Sequence, residues 1–525
     1  MKPIAKTSND FPSIMRDGQV YVDKTAYFHS LVTDRQDKYF FLARPRRFGK
    51  TLMISTLKAI FEGRRELFAG FAIDKMAYDW KKYPVLAFNF GQVAASSLDA
   101  FKDSFAAYIS NALSMVGISY NASETPGNNL GMAIDALAAA SDAGQVVVLV
   151  DEYDDPVARS LKDMEQAKVV RDIFADFYAQ LKDRTGVVKF LMMTGVSKFT
   201  KMSVFSTLSN MTDISFDERY ATMLGYTDGE LDVHFGEHMH RQAEVMGLDY
   251  GEYRRQLKWW YNGFRFVRKN ATTLYNPISI AMTLARPEDE FDATWTETGR
   301  PSMLMNYLSR INLVEAMAPE KLSSVSDEEF DVSNLDSLKP IGMLFQTGYL
   351  TIRGYDPVTR FYALDVPDEE IRRDVAMLLV DAMAGETTGW GAQLGNRLRA
   401  ADWPTFFKGL ASLYAKMCYG PKEDRVHESS YSRILHTLLA SQGMVVRQEE
   451  TSASGRSDIV AEYAGGVFIF ELKLDGAVDD AFRQIEEKGY AKPYLASGKP
   501  IWAVALAFDG ETRCLVDAKA RRIEN

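Results

Sequence analysis

Three ionisable residues close to the carboxyl end of the chain have the types and the spacing of a divalent-cation site: Asp458, Glu471 and Lys473. A Gly465-Gly466 pair stands between the two carboxylates and predicts a tight hairpin turn, because glycine adopts the backbone angles that such a turn needs. In the register that this turn sets, Asp458 faces Lys473, and the two carboxylates are diagonal neighbours about 7 Å apart or less. Carboxylates at that separation can share a hard cation such as Mg²⁺.

The two strands that must position these residues have strictly alternating side chains. One face is fully apolar, and we expect it to be buried against a core; its members are Ile459, Ala461, Tyr463, Phe468, Phe470 and Leu472. The alternative is that Glu471-Leu-Lys473 is a solvated strand end, since this tripeptide alone is common. Hairpin, alternation and spacing agree with one another, and together they favour a metal site with Asp458 and Glu471 as ligands.

A second chemical group lies near the amino end, in the sequence Gly49-Lys50-Thr51. It follows an apolar segment, 39–43, that predicts a buried strand, and it precedes residues with helical spacing that begin at Leu52. Strand, turn, Gly-Lys-Thr and helix is the order that a phosphate-binding loop requires. The departure from the Walker A pattern is Arg44, which stands six positions before the lysine, where that pattern has glycine.

The residues of this loop have expected roles in holding ATP. Amides of the loop and of the helix N-terminus would surround the phosphates. Lys50 would reach the β and γ phosphates, and the Thr51 hydroxyl would bind Mg²⁺. The predicted nucleotide-binding residues of the loop are Arg47, Phe48, Gly49, Lys50 and Thr51.

Two more apolar segments, 145–150 and 187–193, end in polar residues that suit the same site: Asp151-Glu152 after the first and Thr194 after the second. Asp151 is expected to hold Mg²⁺, Glu152 to orient the attacking water, and Thr194 to lie near the γ-phosphate. Apolar strands alternating with helices predict an α/β fold with a parallel sheet covered on both faces. An ordinary α/β core with a chance Gly-Lys-Thr is the less favoured alternative.

Signature motifs occur along nearly the whole chain: Tyr21-Val-Asp-Lys-Thr25, Arg44-Pro-Arg-Arg-Phe-Gly-Lys-Thr51, Asp151-Glu-Tyr-Asp154, Thr194-Gly-Val-Ser-Lys-Phe199, Leu224-Gly-Tyr-Thr227, Trp260-Tyr-Asn-Gly-Phe264, Tyr275-Asn-Pro277 and Phe345-Gln-Thr-Gly-Tyr-Leu-Thr351. This set resembles a bacterial family of AAA-ATPase-like proteins that carry a C-terminal PD-(D/E)xK nuclease domain. The resemblance implies ATP and Mg²⁺ as cofactors. Arg44 in place of glycine is itself usual in that family.

The hairpin resembles the core of the PD-(D/E)xK superfamily, in which two acidic residues hold the metal and the lysine positions the attacking water or helps to deprotonate it. Gln484 and Tyr490 match the Gln-x(5)-Tyr pattern that often follows there. The resemblance implies catalytic roles for Asp458, Glu471, Lys473 and Gln484. Glu428 resembles the glutamate of the superfamily's first helix, which can join the metal site, but the helix dipole explains a first-turn glutamate equally well.

Three domains are predicted: an AAA-ATPase-like domain over 1–235, a mainly helical middle region over 236–400 with a winged-helix-like hairpin, and a restriction-endonuclease-like α/β domain over 401–525. An aromatic cluster at 259–266 could stack nucleic-acid bases, but core packing is favoured for it. Four arginines are candidates for sensing phosphate or acting on a neighbouring chain, although surface salt bridges are favoured for each: Arg219, Arg254, Arg265 and Arg300.

Composition limits the classes of partner. The chain has 525 residues and a net charge of −10, so it has no overall electrostatic attraction for nucleic acid. Residues 421–525 hold 14 Lys and Arg against 17 Asp and Glu, so a nuclease there needs a local basic groove. The two cysteines, Cys418 and Cys514, indicate a reducing compartment. Without an apolar leader or spanning segment, a cytoplasmic protein with no membrane partner is expected.

These observations predict an ATP-binding, ATP-hydrolysing protein coupled to a metal-dependent nuclease that cleaves DNA or RNA. The alternative is an ATP-driven switch or scaffold whose last domain binds a partner or nucleic acid without cutting it. The missing basic excess and the loop departures favour this alternative somewhat. A homo-oligomer is compatible with the sequence, and a helicase-like motor is disfavoured because no strand-tracking motif is present.

Overall fold

The chain divides into two compact units, 1–370 and 371–525. A computed structural model describes residues 1–6, 8–198, 210–285, 290–293, 316–317, 319–330, 332, 338–384, 390–417, 428–452, 455–463 and 465–523. Among the helices of these segments, none has both the length and the apolar character that crossing a membrane requires.

The first unit is built on a five-stranded parallel sheet with the strand order β2-β3-β4-β1-β5. Its strands are β1 (Tyr39–Ala43), β2 (Val85–Asn89), β3 (Val146–Asp151), β4 (Val188–Gly195) and β5 (Thr212–Asp213). Every residue of β1 and β3 is buried, as expected for parallel strands that are covered on both faces. The predicted α/β class is confirmed by this sheet.

Helices pack on both faces of the sheet, and polar residues start several of them. Ser97 accepts a hydrogen bond from Ala100 N, and Asp163 accepts from the amides of Glu165 and Gln166; such caps satisfy amides that the helix itself leaves unpaired. The helices of this region are α1 (Phe11–Arg16), α2 (Thr25–Val32), α3 (Lys50–Phe61), α4 (Leu98–Met115), α5 (Pro126–Ala140), α6 (Asp155–Ser160) and α7 (Met164–Ala179).

The rest of the first unit is helical with two short hairpins. It contains α8 (Asp228–Val245), α9 (Tyr250–Tyr261), α10 (Pro277–Leu284), α11 (Pro319–Leu322) and α12 (Pro340–Thr347), with β6 (Asn262–Phe264) paired to β7 (Leu274–Tyr275) and β8 (Thr351–Tyr355) paired to β9 (Tyr362–Asp365). In the predicted aromatic cluster Trp260, Tyr261, Phe264 and Phe266 are buried, whereas Trp259 is 55% exposed. Packing is therefore the confirmed role of most of the cluster.

The second unit contains a mixed five-stranded sheet, ordered β10-β11-β12-β13-β14, with only the β12–β13 pair parallel. Its elements are α13 (Glu369–Ala384, beginning at the boundary), α14 (Trp390–Arg399), α15 (Trp403–Met417), α16 (Glu428–Ser441), β10 (Val445–Ser452), β11 (Gly455–Tyr463), β12 (Gly466–Leu474), α17 (Val478–Glu487), β13 (Ile501–Phe508) and β14 (Leu515–Ile523). Both sheet faces are covered. Ile459, Phe468 and Phe470 pack with α14, α15 and α16, and Val460 and Ile469 pack with α17.

The hairpin of β11 and β12 forms as predicted, but the predicted register is wrong. Tyr463 pairs with Gly466, whereas the prediction placed Gly466 in the turn. Gly466 is instead a strand residue, pressed against the chain that enters β13: a Cβ on it would lie 3.2 Å from Pro500 O, and Val467 N donates to the same oxygen. The register therefore shifts by two residues. Because the shift is even, every side chain keeps its predicted face.

Candidate functional site

The first candidate site lies where the parallel strands end. Asn89 pairs in register with Asp151, and Thr194 lies near the end of the next strand. Asp151 is almost fully buried, and its two oxygens accept 2.6 Å hydrogen bonds from the hydroxyls of Thr51 and Thr194. The carboxyl edge of a parallel sheet is where such proteins bind ligands. The structure thus brings together three predicted site residues from three different elements.

Lys50 is buried at the start of α3. Its ammonium donates to Arg44 O and Pro45 O, both at 2.8 Å, which uses two of its three donors. Burial lowers the pKa of Lys50 to about 8, although the carboxylates of Asp151 and Glu152 favour its charged form. A phosphate would raise the pKa of Lys50 again, because an adjacent anion favours the protonated state.

The loop before Lys50 has two residues in the left-handed region of backbone angles. Arg47 and Gly49 both have positive φ, 69° and 89°. The Phe48 side chain is fully buried, and its ring lies 4.8 Å from that of Phe264 and 5.2 Å from that of Phe266. Phe48 was predicted to bind nucleotide. Only its backbone can do so in this structure, since its side chain anchors the loop to the helical part of the unit.

Arg44, the departure from the glycine pattern, points into the protein. Its Nη1 donates to Ala43 O and to Ser215 O, and the guanidinium lies 4.5 Å from the centroid of the Phe266 ring. Burial lowers the pKa of Arg44 to about 10. The side chain therefore fixes the loop to the end of β1 and to residue 215, and it occupies no space on the ligand side.

Glu152, directly after β3, has an unusual backbone conformation. Its φ is 50°, a conformation that costs a non-glycine residue of the order of 1 kcal/mol or more and is concentrated at functional sites. Burial raises the pKa of Glu152, and the neighbouring carboxylates of Asp151 and Asp155 raise it further. Gly91 makes room for this side chain, because a Cβ there would lie only 1.8 Å from Glu152 Oε2.

Asp154 joins the ends of two strands. Its carboxylate accepts hydrogen bonds from the amides of Val196 and Ser197 and, at 2.6 Å, from the Ser197 hydroxyl. Burial raises the pKa of Asp154, whereas these hydrogen bonds oppose the shift. Asp154 therefore holds the segment after Thr194 against the segment after Asp151.

A cavity of about 700 Å³ opens onto these residues, entirely within the first unit. Its lining includes the charged or polar residues Arg46, Arg47, Lys50, Thr51, Glu152, Asp155 and Arg159 and the apolar or aromatic residues Ile14, Val20, Tyr226, Phe235, Ile278 and Ala281. This volume lies in the range of ligand-binding pockets, of about 300–1,000 Å³. A lining that contains both kinds of residue suits a ligand that has a polyanionic part and a flat apolar part.

The arginines predicted as possible trans-acting groups are held elsewhere. Arg219 pairs with Asp217 at 2.6 Å, Arg254 pairs with Asp232 at 3.1 Å, and Arg265 donates to the carbonyl of residue 267. These contacts agree with the favoured salt-bridge or structural interpretation. Arg300 lies outside the described residues.

The second candidate site is on the β11–β12 hairpin. Asp458 Oδ2 accepts a 2.8 Å hydrogen bond from Leu472 N, which places the carboxylate beside β12. The Lys473 ammonium donates to Glu471 Oε1 at 3.0 Å and to Gln484 Oε1 at 2.7 Å. Gln484 in turn donates to the Tyr490 hydroxyl at 3.1 Å. Helix α17 thus supplies the group that orients the lysine.

Glu471 is the most unusual residue of this site. Its side chain is 1% exposed, and Oε2 has no hydrogen-bond partner among the described residues. Burial raises the pKa of Glu471 to about 7 and the Asp458 carboxylate adds to the shift, whereas Lys473 and a hydrogen bond from the backbone of Asp458 oppose it. A buried carboxylate oxygen without a partner is costly in a protein. A divalent cation shared with Asp458 would satisfy it, so these residues fit a metal such as Mg²⁺.

The donor set for such a metal is small. Within the described segments, no group of three or more His, Cys, Asp and Glu side chains could hold a metal ion. Two carboxylates completed by waters remain a suitable site for Mg²⁺, which usually retains several waters. Helix α16 begins at Glu428 as the sequence suggests, but the side chain of Glu428 lies outside the described part.

Several site residues were not predicted from the sequence. Asn89 is the last residue of β2 and Gly91 lies two residues beyond it, so the rule that ligands gather at the carboxyl ends of parallel strands could have identified them. Asp155 and Arg159 form a 2.6 Å ion pair four residues apart, which is a recognisable helical spacing. Arg46 gave no signal beyond its place in the loop.

Comparison with known proteins agrees with this arrangement. A family model described as a predicted AAA-ATPase matches residues 6–205, and one described as the PD-(D/E)XK nuclease superfamily matches residues 426–518. A protein of Azotobacter chroococcum mcd 1, described as an uncharacterized protein in the vnfD 5' region, is 32% identical over 519 residues, which cover 95% of each chain. The chain therefore belongs to the family in which an AAA-ATPase-like domain precedes a domain of the PD-(D/E)XK nuclease superfamily.

Proposed function

We propose that the first unit binds and hydrolyses ATP and that the second unit cleaves phosphodiester bonds of DNA or RNA in a reaction that requires Mg²⁺. Nucleotide binding or hydrolysis would gate or drive the cleavage. The observation that carries the nuclease part is the buried, partnerless oxygen of Glu471 beside Asp458 and Lys473. A structural ion pair alone would not need that second oxygen buried.

For ATP, the cavity supports a specific placement. The base would lie against Tyr226 and Phe235, which line the cavity, and the phosphates near Lys50 and the loop amides. Thr51 and Asp151 would hold Mg²⁺, which supplies charge neutralisation at the phosphates. Glu152 would orient the attacking water and accept its proton, a role that its raised pKa favours at neutral pH.

For cleavage, Asp458 and Glu471 would hold Mg²⁺, which activates a water and polarises the scissile phosphate. Lys473 would stabilise the charge that develops on the phosphate. Gln484 keeps the ammonium directed along the site by accepting one of its hydrogen bonds. Burial raises the pKa of Tyr490, so its phenol stays protonated as a fixed neutral partner for Gln484.

A second candidate function is an ATP-driven switch whose C-terminal domain binds without cutting. Two observations favour it: Lys473 is already engaged by Glu471 and Gln484, and residues 421–525 carry no excess of basic over acidic residues. Such a switch needs Mg²⁺ only together with nucleotide. A nuclease binds it at the hairpin without nucleotide.

The deciding experiment is incubation of the purified full-length protein with plasmid DNA, linear DNA and RNA, with Mg²⁺ or Mn²⁺, with and without ATP. Lys473→Ala should abolish cleavage and leave ATP hydrolysis intact. Lys519→Ala is the matched control, since Lys519 is an exposed lysine of the same unit whose Nζ lies 3.6 Å from Asp517. Cutting that persists in Lys473→Ala would refute the nuclease assignment. No cutting by a wild-type protein that binds ATP would support the switch.

A further inference from the structure

We infer that Arg46 contacts the γ-phosphate of ATP bound to its own chain, so that this ATPase site contains its own arginine finger. The inference rests on the proposed ATP-binding function and adds a catalytic residue to it. In many oligomeric ATPases of the wider class a neighbouring subunit supplies this charge. Here the geometry points to a residue of the phosphate-binding loop itself.

The position of Arg46 is the first observation. It lines the cavity together with Lys50, Thr51 and Glu152. Within the part of the chain that the structure describes, its guanidinium has one ion pair, from Nη2 to Asp155 Oδ1 at 3.2 Å, and its side chain remains one-third exposed. The same loop anchors Arg44 and Phe48 in the protein interior, so among these three residues Arg46 is the one directed to the ligand side.

Arg46 lies among the groups that would surround the γ-phosphate. Lys50, which would bind that phosphate, and Glu152, which would orient the water, line the same cavity. Asp155, the carboxylate that pairs with Arg46, lies three residues after Glu152 at the start of α6. This is the region in which an arginine finger acts.

Asp155 and Arg159 form the support of this arginine. Asp155 also pairs with Arg159 Nε at 2.6 Å, and Arg159 Nη2 donates to the carbonyls of Gly91 and Val93. One carboxylate thus faces two guanidinium groups, which leaves a net positive charge beside the cavity. Arg159 is fixed by backbone carbonyls, whereas Arg46 can turn from Asp155 to a phosphate, so Asp155 is a positioning residue.

The chemical role follows from the hydrolysis step. The water oxygen forms a bond to the γ-phosphorus, the bond from that phosphorus to the β–γ bridging oxygen breaks, and a water proton passes to Glu152. Negative charge accumulates on the γ oxygens and on the bridging oxygen that leaves with ADP. A planar guanidinium that donates two hydrogen bonds is suited to stabilise this charge.

The test compares full-length wild type with Arg46→Ala, Arg46→Lys and Arg219→Ala. Arg219 is the matched control, because it is an exposed, aspartate-paired arginine that does not line the cavity. Arg46→Ala should lower kcat for ATP hydrolysis by about 10³-fold, and Arg46→Lys should restore only part of it. Arg46→Ala should also weaken binding of a non-hydrolysable ATP analogue while leaving ADP affinity unchanged, a readout that does not depend on hydrolysis.

A mixing experiment distinguishes action within one chain from action between chains. Lys50→Ala and Arg46→Ala proteins are combined and their hydrolysis is compared with that of each alone. No recovery is expected. Recovery would show that Arg46 acts on a neighbour and would overturn the inference, as would wild-type hydrolysis, or an unchanged ratio of analogue to ADP affinity, in Arg46→Ala. Wild-type protein that binds ATP without hydrolysing it also overturns the inference, whereas wild type that binds no nucleotide overturns the proposed function itself.

Discussion

The central buried carboxylates of the two candidate sites differ in how fully the described residues hydrogen-bond their oxygens. Asp151 has both oxygens hydrogen-bonded by hydroxyls of the protein, at 2.6 Å each. Glu471 has one oxygen paired to Lys473, and the other lies buried with no partner among the described residues. The first site is therefore formed without a ligand, whereas the second is complete only with a cation. We therefore expect the proposed Mg²⁺ of the second site to stabilise the protein more than the proposed Mg²⁺ of the first site does.

The difference follows from the two kinds of sheet. In a parallel sheet the ends of neighbouring strands meet at one edge, so Asp151 can be reached by Thr194 of the next strand and by Thr51 of the helix after β1. In the second sheet β11 supplies Asp458, but β13, the other neighbour of β12, has Ala505 in register with Glu471 and Ala507 in register with Lys473, so the third polar group comes from α17. Fewer neighbours supply donors, and one oxygen of Glu471 remains for a ligand.

The largest expected effect concerns Lys50, and it tests whether the first site works independently of the second. Lys50→Ala should weaken ATP binding by about a thousandfold, because removing one member of a buried charge pair costs several kcal/mol. Mg²⁺ binding at the hairpin should not change. Titration calorimetry with ATP and, separately, with Mg²⁺ measures both. Lys58→Ala on the same helix is the control, since Lys58 is exposed and pairs with Glu62; ATP affinity that survives in Lys50→Ala would contradict the phosphate-loop assignment.

The second prediction concerns the pH dependence of metal binding at the hairpin. Because the pKa of Glu471 is raised to about 7, protons compete with Mg²⁺ below that pH. Affinity should rise by about fiftyfold from pH 5 to pH 7, by about a further twofold up to pH 8, and then level off. Nucleotide-free calorimetry at several pH values measures this for wild type and for Asp458→Asn. Binding that is independent of pH, or unaffected by Asp458→Asn, would place the metal elsewhere.

The third prediction concerns stability without metal. A carboxyl with a raised pKa in the folded state holds its proton more tightly than in the unfolded chain, so its contribution is intact at low pH and is lost as pH rises from about 4.5 to about 7. Glu471→Gln should therefore stabilise the second unit at pH 8 by about 2 kcal/mol and have little effect at pH 5. Urea unfolding in the presence of a chelator tests this, with exposed Glu511→Gln as the control. Destabilisation at pH 8 would show that the Lys473 ion pair outweighs the buried charge.

The strand ends and strand faces of these sites could be predicted from the sequence, whereas the register of the hairpin could not. Residues on strand ends were predictable, because apolar runs that stop at Asp151 or Thr194 identify both the strand and its polar terminus. The alternation along 458–473 predicted which residues share a face. It could not determine the register, because either of two adjacent dipeptides could form the turn, and the choice depends on contact between Gly466 and Pro500.

Side chains that face inward or outward within one loop were not predictable either. Arg44, Arg46 and Arg47 are chemically alike and nearly adjacent, and their directions depend on partners that are distant in sequence. Ser215 and Phe266 bind Arg44, and Asp155 binds Arg46. The sequence pattern indicates the loop, but it does not indicate these partners, because they are distant in the chain. The assignment of Phe48 to nucleotide binding rested on its position alone, and its buried ring limits that role to the backbone.

The connectivity of the second sheet sets an order in which its site can assemble during folding. The β11–β12 hairpin closes over two residues, whereas the parallel pairing of β12 with β13 must wait for the crossover that contains α17. Local hairpins form in about 1–10 μs, and distant pairings are slower. We therefore expect Asp458 and Glu471 to meet while still hydrated and to lose water only when α17 docks. Refolding without metal should then be slower at pH 8 than at pH 5, and stopped-flow fluorescence of Glu471→Gln should show no such difference; equal wild-type rates at the two pH values would mean that Glu471 loses its water after the rate-limiting step.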